Sequence, residues 1–338
     1  MRLDEACAAT FARHETFHPR YGWFKKAYDG ALSDPAIFTS DHATVQLGVG
    51  KNMVRAIRFW GHAARVLAAV PSPNGGRLSL AVPSRIGRAL FDDEGWDPYC
   101  EDPGTLWLIH WLLLAPPSQL PVWWALFHDF TALEFTDSTA NQFAEDHIGS
   151  VSAWSPPHPS SITKDVSCLL RTYAHADTPA RAGIDDLLDC PLRDLGLIRA
   201  VGASPRTYRF SSGEKPTLPN AIVLYCALDF LARTDAQAQT STVSRLASEP
   251  GGPGRALRLS EPSLASAIEH AAASVADVDY AVLNGVAQLS WRGVAADVAS
   301  SVLTSYFASQ GSAADFRGLV AGAGADEPAD EVELEEAR

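Results

Sequence analysis

His14-Glu15-Thr16-Phe17-His18 puts two imidazoles and a carboxylate close together in the pattern H-E-x-x-H. On a helix that spacing sets both histidines on one face to bind zinc, and the glutamate activates a metal-bound water. Pro19 follows immediately. Its ring pushes His18 away from the α region and its missing N–H breaks any helix passing through, so a helix ends at His18 at the latest. The pattern therefore loses the frame a zinc peptidase needs. The five cysteines, at 7, 100, 168, 190 and 226, form no CxxC pair. They read as small core residues rather than a disulfide framework or zinc ribbon.

The same residue types suit another reaction. Cleaving a phosphodiester takes a nucleophile or activated water, cations on the phosphate oxygens and help for the leaving group, commonly from a divalent metal and a general base. Glu15 is a candidate metal ligand or proton acceptor, and His14 and His18 are candidate bases or ligands. A Mg2+ or Mn2+ ion would sit on Glu15 and His18, with Arg20, Lys25 and Lys26 holding phosphate. The competing reading is a buried hydrogen-bonded network of His14, Glu15 and Arg20 that only fixes packing.

The chain as a whole has a net charge of −13, which argues against a nucleic-acid partner until its distribution is read. From Phe11 to Phe91 eleven Lys or Arg face four acids, a net of +7, while the last fourteen residues carry seven acids and one arginine. The basic window is the footprint expected for phosphate-backbone contact. The acidic end predicts a disordered tail.

What positions these charges is a helix pair. DHATVQLGVGKNMVRAIRFWGHAARVL, from Asp41, reads as a short helix, a turn at Gly48 and a longer helix. Val45 and Leu47 are expected to pack inward, together with Val54, Ile57, Gly61 and Ala64. On the other face Lys51, Arg55, Arg58, His62 and Arg65 recur at steps of four, three, four and three. Apolar anchoring with a cationic outer face is what a recognition helix needs, and Asn52 beside it could read an adenine edge. Asp41, with His42 next to it, reads as the N-cap of the first helix. Gly48-Val49-Gly50-Lys51 is not a phosphate loop, because Val45 stands where the first glycine is required and Asn52 where Ser or Thr is.

RLSLAV, after the PSPNGG turn, alternates like a half-buried strand, so residues 11–95 outline a winged helix. Residues 96–151 form a helical region rich in tryptophan, with Trp107, Trp111, Trp123 and Trp124 suiting core or subunit interface and hence a homodimer. SAWSPPHPSS at 152–161 reads as a linker. Over 162–320 a helix at Ala221–Ala232, a helix capped by Ser260 with Pro262 in its first turn, and a hairpin around Asn284-Gly285 suggest a second winged-helix-like unit. Residues 321–338 are the acidic tail. The fold class expected is mainly α with small β elements, α+β. LWLIHWLLLA, the longest apolar run, is too short to span a bilayer, and Asp4, Glu5 and Arg13 leave no room for a secretory signal. A cytoplasmic protein with no membrane partner is expected.

HETFHPRYGWFKKAYDG and LGVGKNMVRAIRFWGHAARVL, with GWDPYCEDPGTLWLIHWLLL, CPLRDLGLI, TYRFSSGEKPTLP and GPGRALRLSE further on, resemble the SspB family over roughly residues 11 to 310. The resemblance implies a DNA-nicking endonuclease of a bacterial single-strand phosphorothioation system used in antiphage defence. Its implied partners are double-stranded DNA, a cysteine desulfurase and an ATP-using sulfur-transfer enzyme. It assigns no catalytic residue. A non-catalytic DNA-binding subunit that recruits those enzymes is the alternative.

Overall fold

The basic stripe is carried by α4 (Lys51–Ala63), which follows α1 (Leu3–Ala6), α2 (Trp23–Ser33) and the single turn α3 (Ala43–Gln46). Gly48 makes the α3–α4 turn at φ 63°, a conformation that costs glycine nothing. Val54, Ile57 and Trp60 are buried on the inner side of α4. At Gly61 a Cβ would come within 2.6 Å of the Leu67 side chain, so the missing side chain lets α4 approach its neighbours closely. Leu47 packs inward as expected, but Val45 is 81% exposed: α3 is too short to bury both. The helix stops at Ala63, and Arg65 lies in the left-handed region at φ 60°. The chain then enters β1 (Leu67–Val70), which pairs antiparallel with β2 (Leu80–Pro83) before α5 (Arg85–Phe91). The computed structural model describes residues 1–72, 79–175, 190–201, 206–312 and 320–329. The PSPNGG turn and the start of RLSLAV thus lie largely outside the described residues.

α6 (Pro103–Leu114) and α7 (Pro121–His128) are apolar all round because they form the centre of the molecule. Trp107, Trp111, Trp123 and Trp124 are each 0% exposed. This corrects the interface reading: these tryptophans are core, and they offer no surface for a homodimer. The core is continuous from Leu3 to Ala325. Around it lie β3 (Glu134–Thr136), α8 (Asp137–Gly149), α9 (Pro159–Tyr173), β4 (Ala174–His175), β5 (Ile198–Val201) and β6 (Thr207–Phe210). They include a sheet of order β3-β6-β5-β4 in which only β4 and β5 run parallel. The stretch read as a linker is not free chain. Trp154 meets Phe11 edge-on at 6.0 Å, and Pro159 already opens α9.

The C-terminal part runs α10 (Asn220–Thr234), β7 (Thr240–Thr242), α11 (Val243–Ser248), α12 (Pro253–Ala256), α13 (Glu261–Ala272), β8 (Val278–Leu283), β9 (Val286–Trp291) and α14 (Ala295–Ser309). Ser260 caps α13 through the Ser263 N–H, and Asn284-Gly285 turns the β8–β9 hairpin with both φ values positive, as a two-residue hairpin loop requires. The sheet order is β7-β9-β8. Residues 321–329, part of the stretch expected to be disordered, are held in place: Asp326 pairs with Arg65 and Arg233, and Glu327 with Arg85. Residues 330–338 lie outside the described residues. The described residues are mainly helical with three small sheets, an α+β protein, and no described helix is long and apolar enough to cross a membrane.

Candidate nucleic-acid interface

The outer face of α4 forms one wall of a polar cleft of about 1030 Å³. Lys51, Arg55, Arg58 and His62 all line it, as the helical spacing requires. Residues of the segment Phe38–Thr44, Asp41 among them, also line it, as do Arg13 and Glu15. Lys51, Arg55 and Arg13 are exposed. Arg58 is half-buried and donates to the Ser79 carbonyl at 2.8 Å and its hydroxyl at 3.3 Å, which fixes the guanidinium at the cleft edge.

His62 differs from the other members of the stripe. Burial, with the nearby Arg58 charge, pushes its pKa down to about 4, so it is neutral at physiological pH. Its Nδ1 lies 3.2 Å from the Leu67 carbonyl. A carbonyl only accepts, so Nδ1 carries the proton and Nε2 keeps a lone pair. The residue read as a cation is a candidate base.

Arg65 leaves the stripe altogether. Past the helix end it turns inward to 6% exposure, donating to the carbonyls of Leu112, Ala115 and Pro117 and pairing with Asp326. It cannot contact DNA. Asn52 is exposed at the start of α4 without lining the cleft.

The opening histidine cluster is a turn and not a helix. His14 is 0% exposed, with Nε2 at 2.6 Å from Asp165 Oδ1 and Nδ1 accepting the Thr16 N–H at 3.1 Å. Both ring nitrogens are engaged, so His14 has no lone pair to offer a metal or a substrate proton. Asp165 Oδ1 also accepts the Ala12 N–H at 2.9 Å, and burial raises its carboxyl pKa against the lowering effect of His14. Around this pair Ala12, Glu15 and Thr16 adopt positive φ values of 54°, 52° and 68°. Non-glycine residues pay for that geometry in strain and keep it only when their surroundings impose it. The His14–Asp165 bond, tying the loop to α9, is that restraint, and its result is to hold Glu15 out at the cleft, 3.6 Å from Arg55. The buried-network reading thus holds for His14, with Asp165 as partner instead of Glu15 or Arg20.

His18 is buried and does not line the cleft. Its neighbour Phe17 gives its carbonyl to Trp60 Nε1 at 2.9 Å. Among the described residues no group of three His, Cys, Asp or Glu could hold a metal, so HETFH lacks the three protein ligands of a zinc peptidase; Glu15 lines the cleft, and His18 does not join it there. Arg20 lies over the Trp23 ring at 5.7 Å. Lys25 pairs with Asp29 and Asp93, and Lys26 donates to the Leu47 carbonyl. None of these three lines the cleft.

Two cleft residues were not legible as such. Arg13 was counted only as charge. Asp41 was read as an N-cap, yet α3 is capped at His42 without any side-chain bond, so the Asp41 carboxylate is exposed to the cleft.

Comparisons with known proteins show the family of the chain. The family model for the protein of unknown function DUF4007 matches residues 11–307. A magnesium ion-bound SspB crystal structure is 39% identical, with a TM-score of 0.87 over 94% of this chain and 93% of that one. A second SspB crystal structure matches at the same identity and coverage, with a TM-score of 0.85. No curated protein sequence matches. The chain belongs to the DUF4007 family and is an SspB homologue.

Proposed function

We propose that the chain is a DNA-nicking endonuclease of a phosphorothioation system, with the α4 cleft as the site that holds duplex DNA. The observation that carries this reading is the convergence of Lys51, Arg55, Arg58 and Arg13 on one cleft that also holds Glu15 and Asp41. α2, α3, α4 and the β1–β2 hairpin then act as a winged helix, with α4 along the groove and the hairpin as wing. The two carboxylates are hard oxygen donors of the kind Mg2+ takes one or two of, completing its shell with water and substrate phosphate. A relative with magnesium bound supports the choice of ion. Glu15 and Asp41 would hold the ion, which when bound neutralises charge on the scissile phosphate.

The chain's own groups supply the rest. Arg58, anchored at Ser79, and Arg55 bind the non-bridging oxygens as charge builds on them. His62 Nε2 takes the proton of the attacking water. His14 and Asp165 act at a distance by keeping the strained loop in place. The cysteine desulfurase and ATP-using sulfur-transfer enzyme of such systems are the proposed partners at the nick.

Salt dependence of DNA binding tests the interface. Lys51→Ala, Arg55→Ala and Arg58→Ala should each weaken binding and reduce the log–log salt slope by about one unit. Unchanged affinity and slope in all three would remove α4 from the interface.

A further inference from the structure

We propose that a second pocket, formed by α2, the end of α3 and the turn Asp97–Asp102, takes the base of one unpaired nucleotide beside the α4 cleft. The proposal rests on the reading of that cleft as the DNA site. The pocket holds about 540 Å³, within the range of small-ligand sites. Among the described residues the only exposed Phe, Trp or Tyr side chains are Tyr21, at 45%, and Tyr99, at 71%. Both line this one pocket. Every base has a π-face, so a pair of exposed rings on one concavity suits stacking without regard to sequence.

The backbone keeps both rings available. Asp97 accepts the N–H groups of Glu101 at 2.9 Å and Asp102 at 3.0 Å, and Cys100 between them takes φ 55°. Such strain in a non-glycine residue persists only where its surroundings impose it, and it gathers at ligand clamps. Here the strained turn presents Tyr99 to the pocket. Tyr21 is anchored from its far end, its hydroxyl donating to Asp194 at 2.9 Å.

Position and polarity select a nucleotide. Ile37 and Leu47 line the pocket, and residues from Phe38 to Thr44, between them in the chain, line the α4 cleft. The two concavities share that segment, so a nucleotide turned out of a duplex in the cleft meets the pocket across it. Gln46, exposed and lining the pocket, offers an amide that both donates to and accepts from a base edge. Lys25 is already neutralised by Asp29 and Asp93, whereas Lys26, anchored on the Leu47 carbonyl, supplies a cation for the phosphate. Extruding a paired base costs its stacking and pairing, so a nucleotide that is already unpaired enters most easily.

The test measures binding of the 338-residue chain to a duplex carrying one unpaired adenine and to the fully paired duplex. The bulged duplex should bind about tenfold tighter, the size of one base–aromatic stack. An abasic nucleotide in place of the adenine should remove the gain. Tyr99→Ala should remove most of it with paired-duplex affinity and melting temperature unchanged, and Tyr99→Phe should keep it, since stacking needs the ring and not the hydroxyl. Equal affinity for bulged and paired duplexes overturns the proposal and leaves the rings to a protein partner. A gain that survives the abasic replacement or Tyr99→Ala overturns it too, because duplex flexibility would then be its source. If Lys51→Ala/Arg55→Ala leaves the affinity for the paired duplex unchanged, the DNA reading of the cleft fails instead.

Discussion

The N-terminal and C-terminal parts of the chain use the same order of elements, a pair of helices followed by an antiparallel hairpin, and differ in what the second helix shows to solvent. α4 presents Lys51, Arg55 and Arg58. Its counterpart α13 contains Glu261 and Glu269 and no lysine or arginine, and the β8–β9 hairpin after it adds only Asp279 among charged residues. Arg292, just beyond, is paired with Asp277 at 3.6 Å. An architecture does not carry a function by itself; the side chains placed on it do. The second helix of the first unit carries a row of cations, and that of the second unit carries none.

The comparison can be broken most forcefully inside the basic unit itself. Arg65→Ala should cost about 3 kcal/mol or more, because it strips a buried charge from carbonyls and from Asp326. Arg55→Ala, on the exposed face of the same helix, should change stability by less than about 0.5 kcal/mol while weakening DNA binding. Thermal unfolding and gel shift together check the contrast; similar losses of stability in both would show that the stripe was misdivided.

Acid should act on the first unit through His62. Its folded pKa, about 4, lies below its unfolded value of 6.5. Between those values the unfolded chain binds a proton that the folded chain does not, so stability falls as pH is lowered from 6.5 toward 4. His110, buried in α6 and also pushed down to about 4, contributes in the same window and direction. His62→Gln should remove its own share, about 3 kcal/mol, from the pH-dependent loss. Chemical denaturation across that range reads it, and an unaltered pH profile would show that the ring is not held neutral.

The smallest effect is expected in the second unit. Glu269→Ala should leave duplex affinity within about twofold, since exposed charges away from the contact are largely screened. A gel shift suffices, and a tenfold change would place α13 at the interface.

The helical period of the basic stripe made α4 and three of its cations readable, and the Asn-Gly dipeptide did the same for the hairpin at 284–285. Arg65 was misplaced because the helix pattern gives no warning that Ala63 is the last helical residue; the short apolar run that follows reads equally as helix or strand. Pro19 correctly denied the histidine cluster a helix. Nothing in the sequence shows that Glu15 and Thr16 take positive φ, which a carboxylate and a β-branched side chain both avoid. The partner that enforces it, Asp165, is 151 residues from His14 along the chain. Contacts that distant depend on the whole fold, and local pattern carries no trace of them.

The central claim is that the α4 cleft both holds DNA and cuts one strand, with Glu15 at its chemistry. Supercoiled plasmid incubated with the purified chain and Mg2+ or Mn2+ measures it directly, with EDTA and Glu15→Ala alongside and a gel shift for binding. Metal-dependent conversion to open circles, abolished in Glu15→Ala while binding persists, is the predicted result; nicking that survives in Glu15→Ala, or DNA binding without nicking under either metal, would contradict it and favour a subunit that only recruits the modifying enzymes.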